Sequence, residues 1–272
     1  MTKVKVLITV KTYPTLSSFR VEELVCTAGI TENGEWIRLY PIPFRKLSYG
    51  SQYSKYEWIE IDVEKNTKDF RKESYRPISI ENSIKTLDFL DTTNNWYRRK
   101  EVVFKAKLYS NLKSLITEAN DDSIRTSLAL FKPRRIVDFI YKEEDPEWDK
   151  STLECLSQGN LFEDNSHFQV VRKLPFKFSY VFEDNQGQSS ILMIEDWEVG
   201  ALYWRIYDKT KDAEVACQKV RNKYFDEFVN TKDLYFFLGT NFINHLKKAR
   251  NPFIIIGVFY PELEPQYKLE FK

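Results

Sequence analysis

Asn33-Gly34 separates two strand-like runs, Glu23–Ile30 and Glu35–Pro41. It is the most constraining signal in the chain, because Asn-Gly supplies the positive φ that a tight hairpin demands. On the second run Trp36, Arg38 and Tyr40 alternate with Ile37 and Leu39, which puts the two sets on opposite faces of a strand. Val4–Thr12 is β-branched and apolar, and Tyr56–Val63 alternates again. Several short strands with Gly, Pro and Ser turns between them predict a small barrel or sandwich.

Further along, Lys65–Arg76 is charged and reads as a loop. Phe104, Leu108, Leu112 and Leu115 stand at three- and four-residue spacing, which predicts one helix over Trp96–Ala119. Ser127–Phe131 and Ile136–Tyr141 read as strands. The acidic, turn-rich passage Glu143–Asn165 reads as a linker, and the expected division is 1–145 and 146–272. A hairpin follows, Phe176–Phe182 and Ser190–Ile194 around Asp184-Asn185-Gln186-Gly187. Helices are expected over Asp196–Tyr207, Asp212–Val229 and Phe242–Ala249, with strands at Leu234–Leu238 and Phe253–Phe259. This mixed order argues α+β and not a repeating βαβ wind.

Composition narrows the function. A 42% hydrophobic and 15% aromatic content fills cores and excludes wholesale disorder. The net charge of +1 excludes a uniformly cationic protein, yet residues 1–140 carry 24 Lys/Arg against 18 Asp/Glu and the rest 17 against 22. A basic first half fits an anionic ligand there. Cys26, Cys155 and Cys217 lack any CxxC spacing, which argues against a disulfide framework or structural zinc and for a reducing interior. Two histidines, His167 and His245, make a His-rich metal site impossible. No run approaches the ~18 apolar residues of a membrane span. A soluble, cytoplasmic protein is expected.

At Cys26-Thr-Ala-Gly-Ile and Gly34-Glu-Trp-Ile-Arg the chain resembles dual OB-containing (DuOB) domain proteins. Lys11, Cys26, Ala28, Gly29, Gly34, Trp36, Ile37 and Arg38 occupy the places of that pattern. The chain departs from it where Leu39-Tyr40 stands between Arg38 and Pro41, and in a longer spacing from Lys11 to Cys26. The resemblance implies a pair of small β-barrels, prokaryotic origin and nucleic-acid binding in defence against foreign DNA or RNA. It implies no catalytic activity.

Several residues are candidates for chemistry, each with two readings. Trp36, Arg38 and Tyr40 form either a platform, with rings on bases and Arg38 on phosphate, or the filling of a core. Arg45-Lys46, Arg71-Lys72, Arg98-Arg99-Lys100 and Arg134-Arg135 either line a groove or are solvated faces. Cys26 is a nucleophile or a buried thiol. Glu195-Asp196-Trp197-Glu198 is a helix start capped by Asp196, or a divalent-metal site of the kind nucleases use. Gly239-Thr240 presents backbone N–H groups to an anion, or enters a helix with Thr240 as its cap.

The expectation is therefore an α+β protein, with an OB-like β-barrel N-terminal domain and a mixed α+β C-terminal domain. It binds DNA or RNA without a cofactor and without catalysis. Trp36 and Tyr40 stack on bases, Arg38 fixes register, and Arg45, Lys46, Arg98, Arg99, Arg134 and Arg135 hold the backbone. The acidic second half docks a protein partner. The alternatives are a Mg²⁺-dependent nuclease using Asp196 and Glu198, and a protein-interaction scaffold.

Overall fold

The computed structural model of the chain describes residues 2–17, 22–79, 84–150, 153 and 170–264. Seven strands build the first part: β1 (Thr2–Lys11), β2 (Thr15–Ser17), β3 (Glu22–Thr31), β4 (Trp36–Ile42), β5 (Glu57–Lys65), β6 (Ser74–Pro77) and β7 (Ile84–Phe89). Five of them close a ring in the order β1-β3-β4-β6-β5 and back to β1. Every neighbour in the ring is antiparallel except β4–β6, where Arg38 faces Ser74 in parallel register. This is an OB-like Greek-key barrel.

The hairpin at Asn33-Gly34 forms as expected. Gly34 sits at φ +85°, and its N–H donates to Thr31 O at 3.0 Å. Val6, Ile8, Ile37, Leu39, Ile59 and Ile61 fill the barrel. Gly29 lies opposite Ile8, and a Cβ there would stand 2.3 Å from the Leu7 carbonyl oxygen. Only glycine permits this approach of β3 to β1.

The second part adds β8 (Leu108–Tyr109), β9 (Leu128–Phe131), β10 (Arg135–Glu143), β11 (Phe176–Glu183), β12 (Ser189–Met193), β13 (Tyr235–Thr240) and β14 (Phe253–Phe259). They form a four-stranded sheet, β14-β13-β9-β8, and a three-stranded sheet, β10-β11-β12. The four-stranded sheet is a central layer. Leu128, Leu130, Phe237 and Ile256 pack on Leu7, Val10, Ala28 and Ile30 of the barrel's outer face. Phe131, Phe236, Leu238 and Ile255 pack the other way, against Phe139, Tyr180 and Tyr203 of the three-stranded sheet and the helices. β1 is thus covered on both faces, which explains why Val6 to Val10 is an unbroken buried run.

Four elements differ from expectation. Lys65–Arg76 is not a simple loop: it carries the start of β6, which closes the barrel, and its charges Asp69 and Arg71 are buried as a pair. The single helix expected over Trp96–Ala119 is two, Thr93–Val103 and Leu112–Asn120, with β8 between them. The expected helix over Asp212–Val229 is helical from Ala213 but passes through a π turn, Asn222–Glu227. Among the described residues there is no second barrel; the strands of the second part form the two open sheets instead. Strands β9 and β10, which precede residue 145, pair with β13 and β11, which follow it. Most of Glu143–Asn165, with Cys155 and His167, lies outside the described residues.

One buried ion pair ties the two parts. Lys55 Nζ, ahead of β5, donates to Asp196 Oδ2 at 3.0 Å and to Glu198 Oε2 at 3.2 Å. Asp196 is only 1% exposed, and Lys55 is 8% exposed. The same aspartate caps the helix Trp197–Thr210, accepting from Glu198 N–H, and bridges to Thr12 at the end of β1. Behind it, Gly200 lets that helix rest on the Tyr13 ring, where a Cβ would meet a ring carbon at 2.2 Å.

Breaking a buried pair strands a charge, at a cost of about 3–5 kcal/mol. Asp196→Asn keeps a capping acceptor and removes the charge, so it should lower stability in urea by roughly 3 kcal/mol. Lys55→Met/Asp196→Asn should lose less than the sum of the two single changes. Additive losses in that double-mutant cycle would show that the pair is not coupled.

Candidate functional site

A cleft of about 400 Å³ opens between the barrel and the central sheet. Segments that the sequence singles out separately meet there: Cys26 from β3, Arg38 and Tyr40 from β4, Arg71, Glu195, and Gly239-Thr240 at the end of β13. Strand parity explains the convergence. Trp36, Arg38 and Tyr40 do project from the barrel's outer face, opposite to Ile37 and Leu39.

That face is not an open platform, because the central sheet covers most of it. Trp36 packs edge-on against Phe237, with ring centres 5.6 Å apart. Arg38 is 2% exposed. Its Nη1 donates to Ser127 Oγ and its Nη2 to the Ser127 carbonyl, both at 3.1 Å. Ser127 in turn donates from Oγ and N to Glu73, at 2.8 and 3.1 Å. Tyr40 stays half-buried at the cleft.

Arg38 Nε is buried and has no hydrogen-bond partner among the described residues. Burial, and then the neighbouring Arg71, push the Arg38 guanidinium down to about 10. An anion in the cleft would relieve both effects. Arg71 is differently placed. It forms a two-pronged contact with Asp69, Nε to Oδ1 at 2.8 Å and Nη2 to Oδ2 at 2.6 Å, and donates from Nη1 to the Thr240 carbonyl at 2.8 Å. Against the cost of burial, this contact holds the Asp69 carboxyl below its ordinary range. Lys68 lines the same cleft and is exposed. Glu195 also lines it, and burial raises its carboxyl.

The other basic candidates are not lining residues of the cleft. Arg45 and Lys46 are half-buried in the turn Phe44–Lys46. Arg98 pairs with Asp88, and Arg135 pairs with Glu183. Arg99 is structural: its Nε donates to Leu90 O at 2.7 Å, and its guanidinium lies 3.9 Å from the Tyr56 ring centre. Arg134 is exposed beside the β11–β12 turn.

Asp196 and Glu198 share the Lys55 ammonium, so a cation already sits between the two carboxylates. Burial pushes Asp196 up to about 6 against the pull of Lys55, leaving it ionised at neutral pH. Among the described residues no group of three or more His, Cys, Asp or Glu is placed to hold a metal ion. This donor set does not fit a divalent metal. Nearby, Lys11 Nζ lies 4.1 Å from the Phe44 ring centre and 5.1 Å from that of Trp197. Burial and then Lys55 lower it to about 8.

The cap of the helix Phe242–Leu246 is Asn241, which accepts from Asn244 N–H. Thr240 binds His245 instead: Nδ1 stands 3.0 Å from Thr240 Oγ1, and Nε2–H donates to Ala119 O at 2.7 Å. Sequence reading missed Asn66, Lys68, Asp69, Asn241 and Phe242 as lining residues. The signal available for Asp69 was its two-residue spacing from Arg71 within a charged run.

Residues 2–105 match the family described as Domain of unknown function (DUF8758), and residues 109–271 match Domain of unknown function (DUF8757). The chain belongs to the DUF8757 family. The seam between the two matches falls just before β8, where the second part begins. Neither matched family is described as dual OB-containing. No curated protein matches the sequence. A solved structure described as "Structure of murine DNA binding protein bound with ds DNA" aligns at TM-score 0.30 and 10% identity, covering 97% of this chain and 100% of that one. At that score the likeness carries no argument. Among the described residues, no helix is long and apolar enough to cross a membrane.

His245, which contacts the cleft residue Thr240 from outside the lining, carries a pH signature. Burial, reinforced by Arg71 and Arg38 and opposed by the Ala119 carbonyl, lowers its pKa below the ordinary 6.5. The unfolded chain therefore takes this proton before the fold does. The His245 contribution to stability is full above about 6.5 and falls as pH drops through the folded value. Asp196, raised by burial to about 6, acts in the opposite sense over the same range. The loss is therefore read as the difference between the urea midpoints of the wild type and His245→Gln, which should change as pH falls below about 7.5. An unchanged slope in the variant would assign the loss to other groups.

Proposed function

We propose that this protein binds nucleic acid, and that the contact is the cleft between barrel and central sheet. The observation that carries the reading is Arg38, a buried guanidinium in the cleft wall with its Nε unpartnered among the described residues. A buried donor left unsatisfied costs about 1–3 kcal/mol, which a phosphate or carbonyl oxygen would recover. Lys68 at the cleft adds an accessible cation, and the Tyr40 ring offers a face for a base. The strands concerned, β3 and β4, are the second and third of the barrel ring, the pair that OB folds commonly use for oligonucleotides. The resemblance to dual OB-containing proteins supports the same ligand class. Trp36 is reassigned from base stacking to the junction, because its ring is spent on Phe237.

Fluorescence anisotropy of short labelled DNA and RNA tests the reading. Affinity should fall steeply between about 50 and 200 mM salt. Lys68→Glu should weaken binding about tenfold and reduce the salt slope by about 1, whereas Arg98→Ala, outside the cleft, should leave it unchanged. Salt-insensitive binding, or wild-type affinity in both Lys68→Glu and Tyr40→Ala, would overturn the assignment.

A further inference from the structure

The cleft's size and wall chemistry specify more than a polyanion. Resting on the nucleic-acid reading, we infer that the cleft takes one unstacked nucleotide, terminal or extruded from a strand, and not a continuous duplex. Three observations converge on this.

The first is volume. About 400 Å³ is the lower range of a pocket that encloses a single small ligand. A paired helix cannot reach Arg38 there, since that side chain is 2% exposed behind the central sheet. Only a group inserted into the cleft meets it. Enzymes and readers that act on one base solve the same problem by taking the nucleotide out of its stack.

The second is the pairing of rings with polar edges. Tyr40 lies on the barrel side and Phe242 on the opposite side, after β13. Phe242 is held in place by Phe70 at 5.6 Å between ring centres and by the Arg71 guanidinium at 5.3 Å. A flat apolar face fixed by packing, as Phe242 has, suits a base, whose π-face any aromatic ring can meet.

The third is mixed polarity. Arg38 and Lys68 in the lining favour phosphate, while Asn66 and Asn241 add neutral amides. An amide carries both donors and an acceptor, which matches the edge of a base. One nucleotide satisfies both ends at once.

Competition separates this inference from the reading beneath it. A labelled single-stranded oligonucleotide is bound first, then challenged with 5′-mononucleotides, with inorganic phosphate, and with a hairpin-closed duplex that has no unpaired end. Mononucleotides in excess should displace the oligonucleotide, and phosphate at equal concentration should not. The closed duplex should bind about tenfold more weakly than the same duplex carrying an unpaired overhang, the loss of roughly one stacked base. Phe242→Ala and Tyr40→Leu should each abolish that difference while thermal melting shows a folded chain. Should the oligonucleotide bind with the expected salt dependence, yet resist mononucleotides and bind no better than closed duplex, the inference fails and the nucleic-acid reading stands. Absence of oligonucleotide binding altogether would overturn the reading itself.

Discussion

The contact between Lys55 and Asp196 holds this architecture in register. One partner precedes the barrel's fifth strand and the other starts a helix of the second part. Each is almost fully removed from water. The pair's net contribution is modest, because desolvating two ions offsets most of their attraction. Its specificity is not modest. A displaced barrel would strand both charges, so only one docking geometry is tolerated. Thr12, Tyr13 and Gly200 then fall into place around it through a β-bridge, a hydrogen bond to the Glu195 carbonyl and a close ring contact.

That docking decides what the barrel can present. An isolated OB-like barrel offers a curved strand face to its ligand. Here the central sheet occupies that face and leaves a cleft where Tyr40, Arg38 and Thr240 approach one another. Covering the face changes the chemistry of the residues beneath it. Arg38, which on an open strand would be a mobile solvated cation, becomes a fixed guanidinium anchored by Ser127 and Glu73. Its side-chain entropy is lost during folding and need not be lost again on binding.

Much of this was legible in the residues. The Asn33-Gly34 turn, the inward Ile37 and Leu39, the β11–β12 hairpin and the Asp196 cap follow from local chemistry, and they form. What local chemistry could not supply was the cover over the barrel. The alternation of β4 correctly gives two faces, but one outward face meets protein and not solvent. A hint lay in β1, where Val6-Leu7-Ile8 breaks alternation because both sides are buried. The closing strand β6 was hidden for a related reason. Its segment is rich in charge, and Asp69 and Arg71 neutralise each other out of sight of any periodicity. The break between the two helices at 93–120 escaped because Leu108 continues the helical spacing while its backbone pairs with Leu130.

A cleft walled on one side by the barrel and on the other by the central sheet makes its occupant a cross-brace. Any molecule touching both walls binds the docked arrangement and not the separated one, so affinity and cohesion become two readings of one free energy. Whatever loosened the junction from afar, by changing Lys55 or the Trp36–Phe237 contact, would also weaken the grip on such a molecule. Such a molecule, in return, would weld the two halves of the protein together.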